Sequence, residues 1–186
     1  AADHWEAGRE IPLDPAWLEV YARSLEVLRG AQTEQGLFVE QVARGGRPVA
    51  PAGAEVNAIH VLYCAVHLAE VGEGGRETLD HLAGAFEHHG KLPGRYRLAD
   101  GEAVPGYENR AVYALAARLA ILLGDPATAQ RFLDRMLEMY LLEPVLAHGP
   151  PTQVGFAALA FDNLQALISL RQLAAARIAR VDADAP

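Results

Sequence analysis

Cysteine, methionine, aromatic side chains and long apolar runs are all scarce in this chain of 186 residues. Cys64 is its only cysteine, so no disulfide can form within the chain, and cysteine usage leaves the redox compartment open. No apolar run reaches the roughly 18 residues that a membrane-crossing helix requires, so no membrane partner is expected. Positive charge is short as well. Sixteen Lys and Arg against 24 Asp and Glu give a formal net charge of −8, which argues against a nucleic-acid backbone or an anionic membrane as main partner. A neutral polyol such as a glycan, or another protein, fits that charge. The phosphate-binding loops, the dinucleotide-binding glycine pattern, the G-x-S-x-G elbow and a Cys/His nucleophile pair are missing. Ser24 and Ser169 fall inside helical stretches with no evident base nearby. Nucleotide chemistry and serine hydrolysis are therefore not expected, and no cofactor is called for.

What is present describes a folded globule. A content of 51% hydrophobic and 22% charged residues excludes wholesale disorder. The length suits one domain, or at most one and a half, with a real hydrophobic core. The chain opens on Ala1-Ala2-Asp3 without methionine, as expected of a chain that has lost a leader or been trimmed. Residues 1–13 read as a loose arm anchored through Trp5, residues 14–180 as a single helical domain, and residues 181–186 as a tail that frays.

The strongest pattern is a repeat. Three helical stretches open on an acidic residue and an asparagine: Glu55-Val56-Asn57, Tyr107-Glu108-Asn109 and Phe161-Asp162-Asn163. The asparagines are spaced by 109 − 57 = 52 and 163 − 109 = 54 residues. A period of roughly 50 residues with two helices per unit predicts an array of helical hairpins.

The turn signals fill in the units. Asp14-Pro15 caps a first helix that carries Trp17, Leu18, Tyr21, Leu25 and Leu28 and stops at Gly30. Gln35 to Val42 reads as a short extended segment, followed by a loop through Gly45, Gly46, Pro48 and Pro51. Helices are predicted over Ala54–Val71, Arg76–His89, Tyr107–Leu123, Asp125–Leu142 and Phe156–Arg180. Between them, Arg95-Tyr96-Arg97-Leu98 and Asp100-Gly101 have the pattern of a small β-hairpin near 92–105. The expected fold is all-α: about three antiparallel hairpins with one small β-hairpin inserted.

Polar residues gathered at inner-helix ends are the first candidates for chemistry. Glu55, Glu108 and Asp162 favour the positive end of a helix, and Asn57, Asn109 and Asn163 are apt caps, which is the plain reading of all six. The functional reading has these ends converge, so that carboxylates share acid and base roles and the amides bind hydroxyls. Tyr107 and Phe161 would then offer flat faces for sugar rings, with Trp5, Trp17 and Tyr96 as further platforms, although single aromatics are more often core residues or anchors. Arg95 and Arg97 fall on one face of the hairpin, where they clamp a carboxylate or simply cover a surface. His60, Cys64 and His67 lie within one narrow sector of a helix and have zinc-ligand chemistry. Without a Cys-x-x-Cys or His-Glu-x-x-His beside them they read as a half-buried packing face, and no metal is expected. Glu87-His88-His89 ends a helix whose dipole the histidines complement.

The segment from Gly106 to Ala120, with Tyr107, Glu108 and Arg110 ahead of an Ala/Leu-rich run, resembles an inner helix of the α/α-toroid (six-hairpin) glycosidases and is nearest to glycoside hydrolase family 8. The resemblance implies a partial α/α toroid acting on a polysaccharide, with Glu108, Glu55 and Asp162 as acid and base candidates. On the reading from the helix ends and the hairpin, Tyr107, Asn109, Asn57, Asn163, Phe161, Tyr96 and Arg97 are the candidate substrate-binding residues. The chain departs from the family in supplying about half the helices and in lacking a Ser-Glu-Gly segment for the general acid. A dimer, or a missing partner domain that covers an exposed apolar flank, follows from the half-toroid reading. The rival reading is a non-catalytic helical-repeat scaffold: Gly124 to Leu133 has the flavour of a tetratricopeptide hairpin, although the 52- and 54-residue spacings exceed the roughly 34 of that repeat.

Overall fold

The structure, a computed structural model, describes residues 14–106, 108–142 and 160–183. Among the described residues six helices carry the fold: α1 (Pro15–Gly30), α2 (Ala58–Glu70), α3 (Arg76–His89), α4 (Arg110–Leu122), α5 (Pro126–Leu142) and α6 (Ala160–Ala183). Four short strands accompany them: β1 (Gln41–Val42), β2 (Pro48–Val49), β3 (Glu55–Asn57) and β4 (Arg95–Arg97). The fold is all-α with a small β insertion.

The helix ends follow the local chemistry. Asp14 caps α1 by accepting from the Ala16 amide at 2.8 Å, with Pro15 preset for the first turn. Gly90 closes α3 at φ 66°, with His88 and His89 in the last turn, where they complement the helix dipole. The two inner helices start later than the sequence predicts. Glu55, Val56 and Asn57 are extended and pair with β4, so α2 begins at Ala58 and not at Ala54. Asn109 is likewise extended, and α4 begins at Arg110. Ladder bonds to β4 satisfy the polar backbone of Glu55–Asn57, and that tertiary gain outweighs helix propensity at a helix end.

Alternate helices form one layer. α4 packs between α2 and α6, and α3 and α5 lie against it from outside. From Arg110 through Ala117 every residue of α4 is buried. Its alanines leave room for neighbours on all sides, and the bulk is supplied by Tyr113, Leu115 and Leu119, each at 0% exposure. A helix that is apolar all round is a central helix.

The hairpin near 92–105 forms as predicted. Tyr96 bridges Ala103, Arg97 N–H donates to the Glu102 carbonyl at 2.9 Å, and the turn lies at Asp100-Gly101. Its other edge was not legible in the sequence. β4 pairs antiparallel with β3 in the register Glu55↔Arg97, Val56↔Tyr96 and Asn57↔Arg95.

Candidate functional site

A strap formed by residues 91–97 runs over the N-terminal ends of α2 and α4. It is held at α2 by the β3–β4 ladder and by the Ala58 amide, which donates to the Gly94 carbonyl at 3.0 Å. At α4 it is held by the Pro93–Glu108 bridge and by the Leu92 amide, which donates to the Tyr113 hydroxyl at 2.8 Å. The repeated helix starts of the first two units are thus joined into one end of the molecule.

Glu108 is the centre of the polar network there. Arg135 of α5 donates to both its oxygens, from Nη2 to Oε2 at 2.7 Å and from Nε to Oε1 at 3.1 Å. The Tyr113 hydroxyl donates to Oε1 as well. Burial pulls the Glu108 pKa upward, but the hydrogen bonds from Arg135 and Tyr113 outweigh it and hold the carboxyl below its ordinary value. The same network, with burial foremost, raises the Tyr113 phenol. Glu108 is therefore an ionised acceptor at neutral pH. Among the described residues three of its roughly four lone-pair positions are used, the fourth lying on Oε2.

Removing Arg135 exposes what that pairing supplies. Arg135→Ala would leave a half-buried carboxylate without its cation and is expected to cost about 2–3 kcal/mol, between a lost charge-assisted bond and a broken buried pair. Urea titration of the variant at pH 7 checks this. The pH dependence has a definite sign: the folded pKa of Glu108 lies below its unfolded value, near 4.3. The stability it contributes is present above the unfolded pKa and is lost as pH falls through the folded one. The urea midpoint should accordingly fall less steeply on the acid side in Glu108→Gln than in the parent.

Glu55 is not the counterpart of Glu108. Glu108 directly precedes its cap Asn109, whereas Glu55 stands two residues before Asn57. Strand alternation then turns Val56 into the core and Glu55 outward, where it faces Arg95 at 3.5 Å. The two carboxylates also line different clefts. Glu55, Glu40, Ala54 and Leu98 border one of about 220 Å³; Glu108, Lys91, His89 and Val104 border another of about 230 Å³. A third cleft of about 500 Å³ runs on from the second, sharing His89 and Ala103 with it and reaching His81, Asp100 and Glu102.

The remaining predicted residues divide clearly. Asn57 and Asn109 are N-caps, each Oδ1 accepting from the amide two residues on, at 2.9 and 2.8 Å. Tyr96 corrects an expectation: its ring is 1% exposed and lies edge-on to His81 at 5.1 Å, so it presents no face on which a sugar could stack. The alternation that turns Arg95 and Arg97 to solvent is the alternation that buries it. Arg97 is exposed and forks onto Asp100, donating at 2.7 and 3.1 Å. Tyr107 lies outside the described residues. Phe161, Asp162 and Asn163 fall within α6, and their side chains are outside the described residues.

His60 and His67 each face a carboxylate, His60 Nδ1 lying 3.0 Å from Glu40 and His67 Nδ1 lying 3.1 Å from Glu70. Cys64 between them is half-buried, and burial pushes its thiol upward. Among the described residues no group of three potential metal ligands gathers. Sequence reasoning missed Arg135 and Tyr113. Tyr113 was within reach, one helical turn beyond the cap. Arg135 belongs to another helix, and only the packing of α5 on α4 brings it to Glu108.

No family model matches the chain. Over 156 residues, 83% of its length, the chain is 30% identical to YdaJ of Bacillus subtilis (strain 168), whose name carries the word lipoprotein. Its fold is similar to that of a solved structure described as a novel alpha-amylase from Clostridium perfringens, with a TM-score of 0.71 at 19% identity over 86% of the chain. It is also similar to PssZ from Listeria monocytogenes, with a TM-score of 0.61 at 18% identity over 86% of the chain. The chain spans about half the length of these proteins: 43% of YdaJ, 49% of the amylase chain and 48% of PssZ.

Proposed function

We propose that this chain is part of a carbohydrate-active domain of the α/α-toroid type, which takes a polysaccharide at the strapped end of its inner helices. The observation that carries this reading is the fold likeness, over most of the chain, to a protein described as an alpha-amylase. The resemblance of Gly106–Ala120 to glycoside hydrolase family 8 points the same way. Charge is in keeping with it, since a neutral polyol does not oppose a net charge of −8.

Within this reading the cleft beside Glu108 is the part that binds. The free lone pair of Glu108 accepts a ligand hydroxyl, and Lys91 and His89 border the same space. A carboxyl held ionised by Arg135 suits an acceptor or base and not a proton donor. If the domain hydrolyses a substrate in this cleft, its general acid is another carboxylate, and of the two remaining candidates Asp162 is kept, since Glu55 borders a different cleft. The way Arg135 and Tyr113 engage Glu108 also favours a second reading, in which the carboxylate is structural and the array is a non-catalytic scaffold.

A glycan array probed with the purified chain separates the two. The expected result is binding to a glucan, weakened at least tenfold, or about 1.4 kcal/mol, in Glu108→Gln and in the exposed variant Lys91→Ala, with helical circular dichroism intact. No binding to any glycan by a folded chain would overturn the carbohydrate reading and leave the scaffold.

A further inference from the structure

The turn of the β-hairpin rests on a histidine of α3. Gly101 lies so close to His81 that a methyl group on it would stand 2.9 Å from the His81 Cε1, and Gln35, from the loop after α1, borders the same glycine. The His81 ring also meets the Tyr96 ring edge-on, with centroids 5.1 Å apart. Asp100 to Ala103 form one wall of the cleft of about 500 Å³, and Ala103 borders the cleft beside Glu108 as well. The seating of the turn on His81 therefore sets the shape of both clefts.

That seat suits a neutral ring. His81 Nε2 is buried and has no hydrogen-bond partner; the buried Tyr96 hydroxyl beside it is unpartnered too and makes no bond to it. A neutral imidazole tolerates this, because its proton can sit on Nδ1 and leave only a lone pair at Nε2. An imidazolium carries a donor on both nitrogens. Protonation puts an N–H and part of a positive charge where the described residues offer no acceptor. On α3 itself, Glu77 stands one turn before His81, and Asp80, His88 and His89 line the same cleft. From the hairpin, Tyr96, Asp100 and Glu102 face it, and from the loop the uncharged Gln35 closes the seat. Asp100 is engaged by Arg97. The Glu102 charge draws the His81 pKa upward, but burial outweighs it and holds the ring below its ordinary value.

We infer that His81 is a pH-sensitive latch, which seats the hairpin turn on α3 while neutral and releases it when protonated, so that the shared wall of the two clefts moves. The folded pKa of His81 lies below its unfolded value, near 6.5. The seating it contributes is complete above that unfolded value and is lost as pH falls through the folded one. The base of the hairpin stays in place throughout. It is held by the β3–β4 ladder and by the Leu98 amide, which donates to the Ala54 carbonyl at 2.9 Å, and backbone bonds do not titrate in this range. The inference concerns the position of the hairpin and not its ligand, so it and the carbohydrate reading can fail separately.

NMR on the full chain between about pH 7.5 and pH 5, where a histidine changes charge, tests the latch. Two amides report on the turn: Arg97, which donates to the Glu102 carbonyl, and Gly101, which donates to the Arg97 carbonyl. Their hydrogen exchange, corrected for the intrinsic rate, is expected to rise about tenfold or more as His81 protonates. The Gly101 resonance should move with the same midpoint. His81→Leu, neutral at every pH and small enough to lie under Gly101, should keep both amides protected throughout. Glu102→Gln, an exposed change that removes the opposing charge, should move the midpoint to lower pH. Exchange that stays flat while His81 titrates would overturn the inference. So would an unchanged pH response in His81→Leu, which would assign it to His88 or His89. Should His81→Leu not fold, Glu102→Gln decides alone, and an unmoved midpoint sinks the latch.

Discussion

Phe132→Ala is expected to destabilise the protein by about 3–5 kcal/mol, the usual range for deleting a fully buried aromatic ring. Phe132 is 0% exposed on α5 and lies edge-on to Phe86 of α3 at 5.4 Å, while Phe86 in turn meets Tyr113 of α4 at 6.2 Å. Phe86 therefore links rings of three helices, and Phe132 is the contribution of α5 to that chain. Those three helices hold Arg135, Glu108 and the strap in place, so the loss reaches the candidate site through packing alone. Thermal melting should show a fall of about 6–20 °C, taking roughly 2–4 °C per kcal/mol for a domain of this size. Leu137→Ala, on the exposed side of the same helix at 39% exposure, should stay within about 0.5 kcal/mol of the parent. A similar cost for both variants would mean that α5 is not anchored through Phe132.

Gly36→Ala is the second large effect, expected at about 3 kcal/mol or more. Gly36 has φ 77°, a conformation that costs an L-residue about 1–2 kcal/mol. A methyl group there would also sit 2.5 Å from the backbone of Glu77 and Thr78, in the first turn of α3, where nothing can swing aside. Overpacking of that kind adds about 1–3 kcal/mol. The Thr78 hydroxyl, which donates to the Gly36 carbonyl at 2.5 Å, would lose its partner as the loop moves away. The displacement should propagate to Glu40, four residues on. Glu40 meets His60 and accepts from the Asn57 amide at the start of α2, and the contact with His60 chiefly holds its carboxyl below the ordinary value. Melting would report the first effect, and an upward shift of the Glu40 titration, followed by NMR, the second. A folded variant with unchanged Glu40 titration would show that the loop and α2 move independently.

Secondary structure was legible wherever its cause is local. Asp-Pro openings, glycine stops and apolar spacings of three and four located α1, α3 and α5 closely, because caps and turns are decided within a few residues. The β-hairpin was legible for the same reason, from Asp100-Gly101. The errors fall where distant chain intervenes. Glu55–Asn57 reads as the first turn of a helix until β4 pairs with it, and Tyr96 reads as a surface aromatic until that same pairing turns it inward.

The candidate site shows the division most plainly. By itself the amino-acid order determined that the protein is a helical-hairpin array with carboxylate and asparagine at its helix starts, because period, capping and hydropathy are properties of neighbouring residues. Only the tertiary structure decided that Glu108 faces inward while Glu55 faces solvent, and that Arg135 and Tyr113 meet at the Glu108 carboxylate. Those outcomes depend on strand register and on the docking of helices far apart in the chain, and no local interaction energy carries that information.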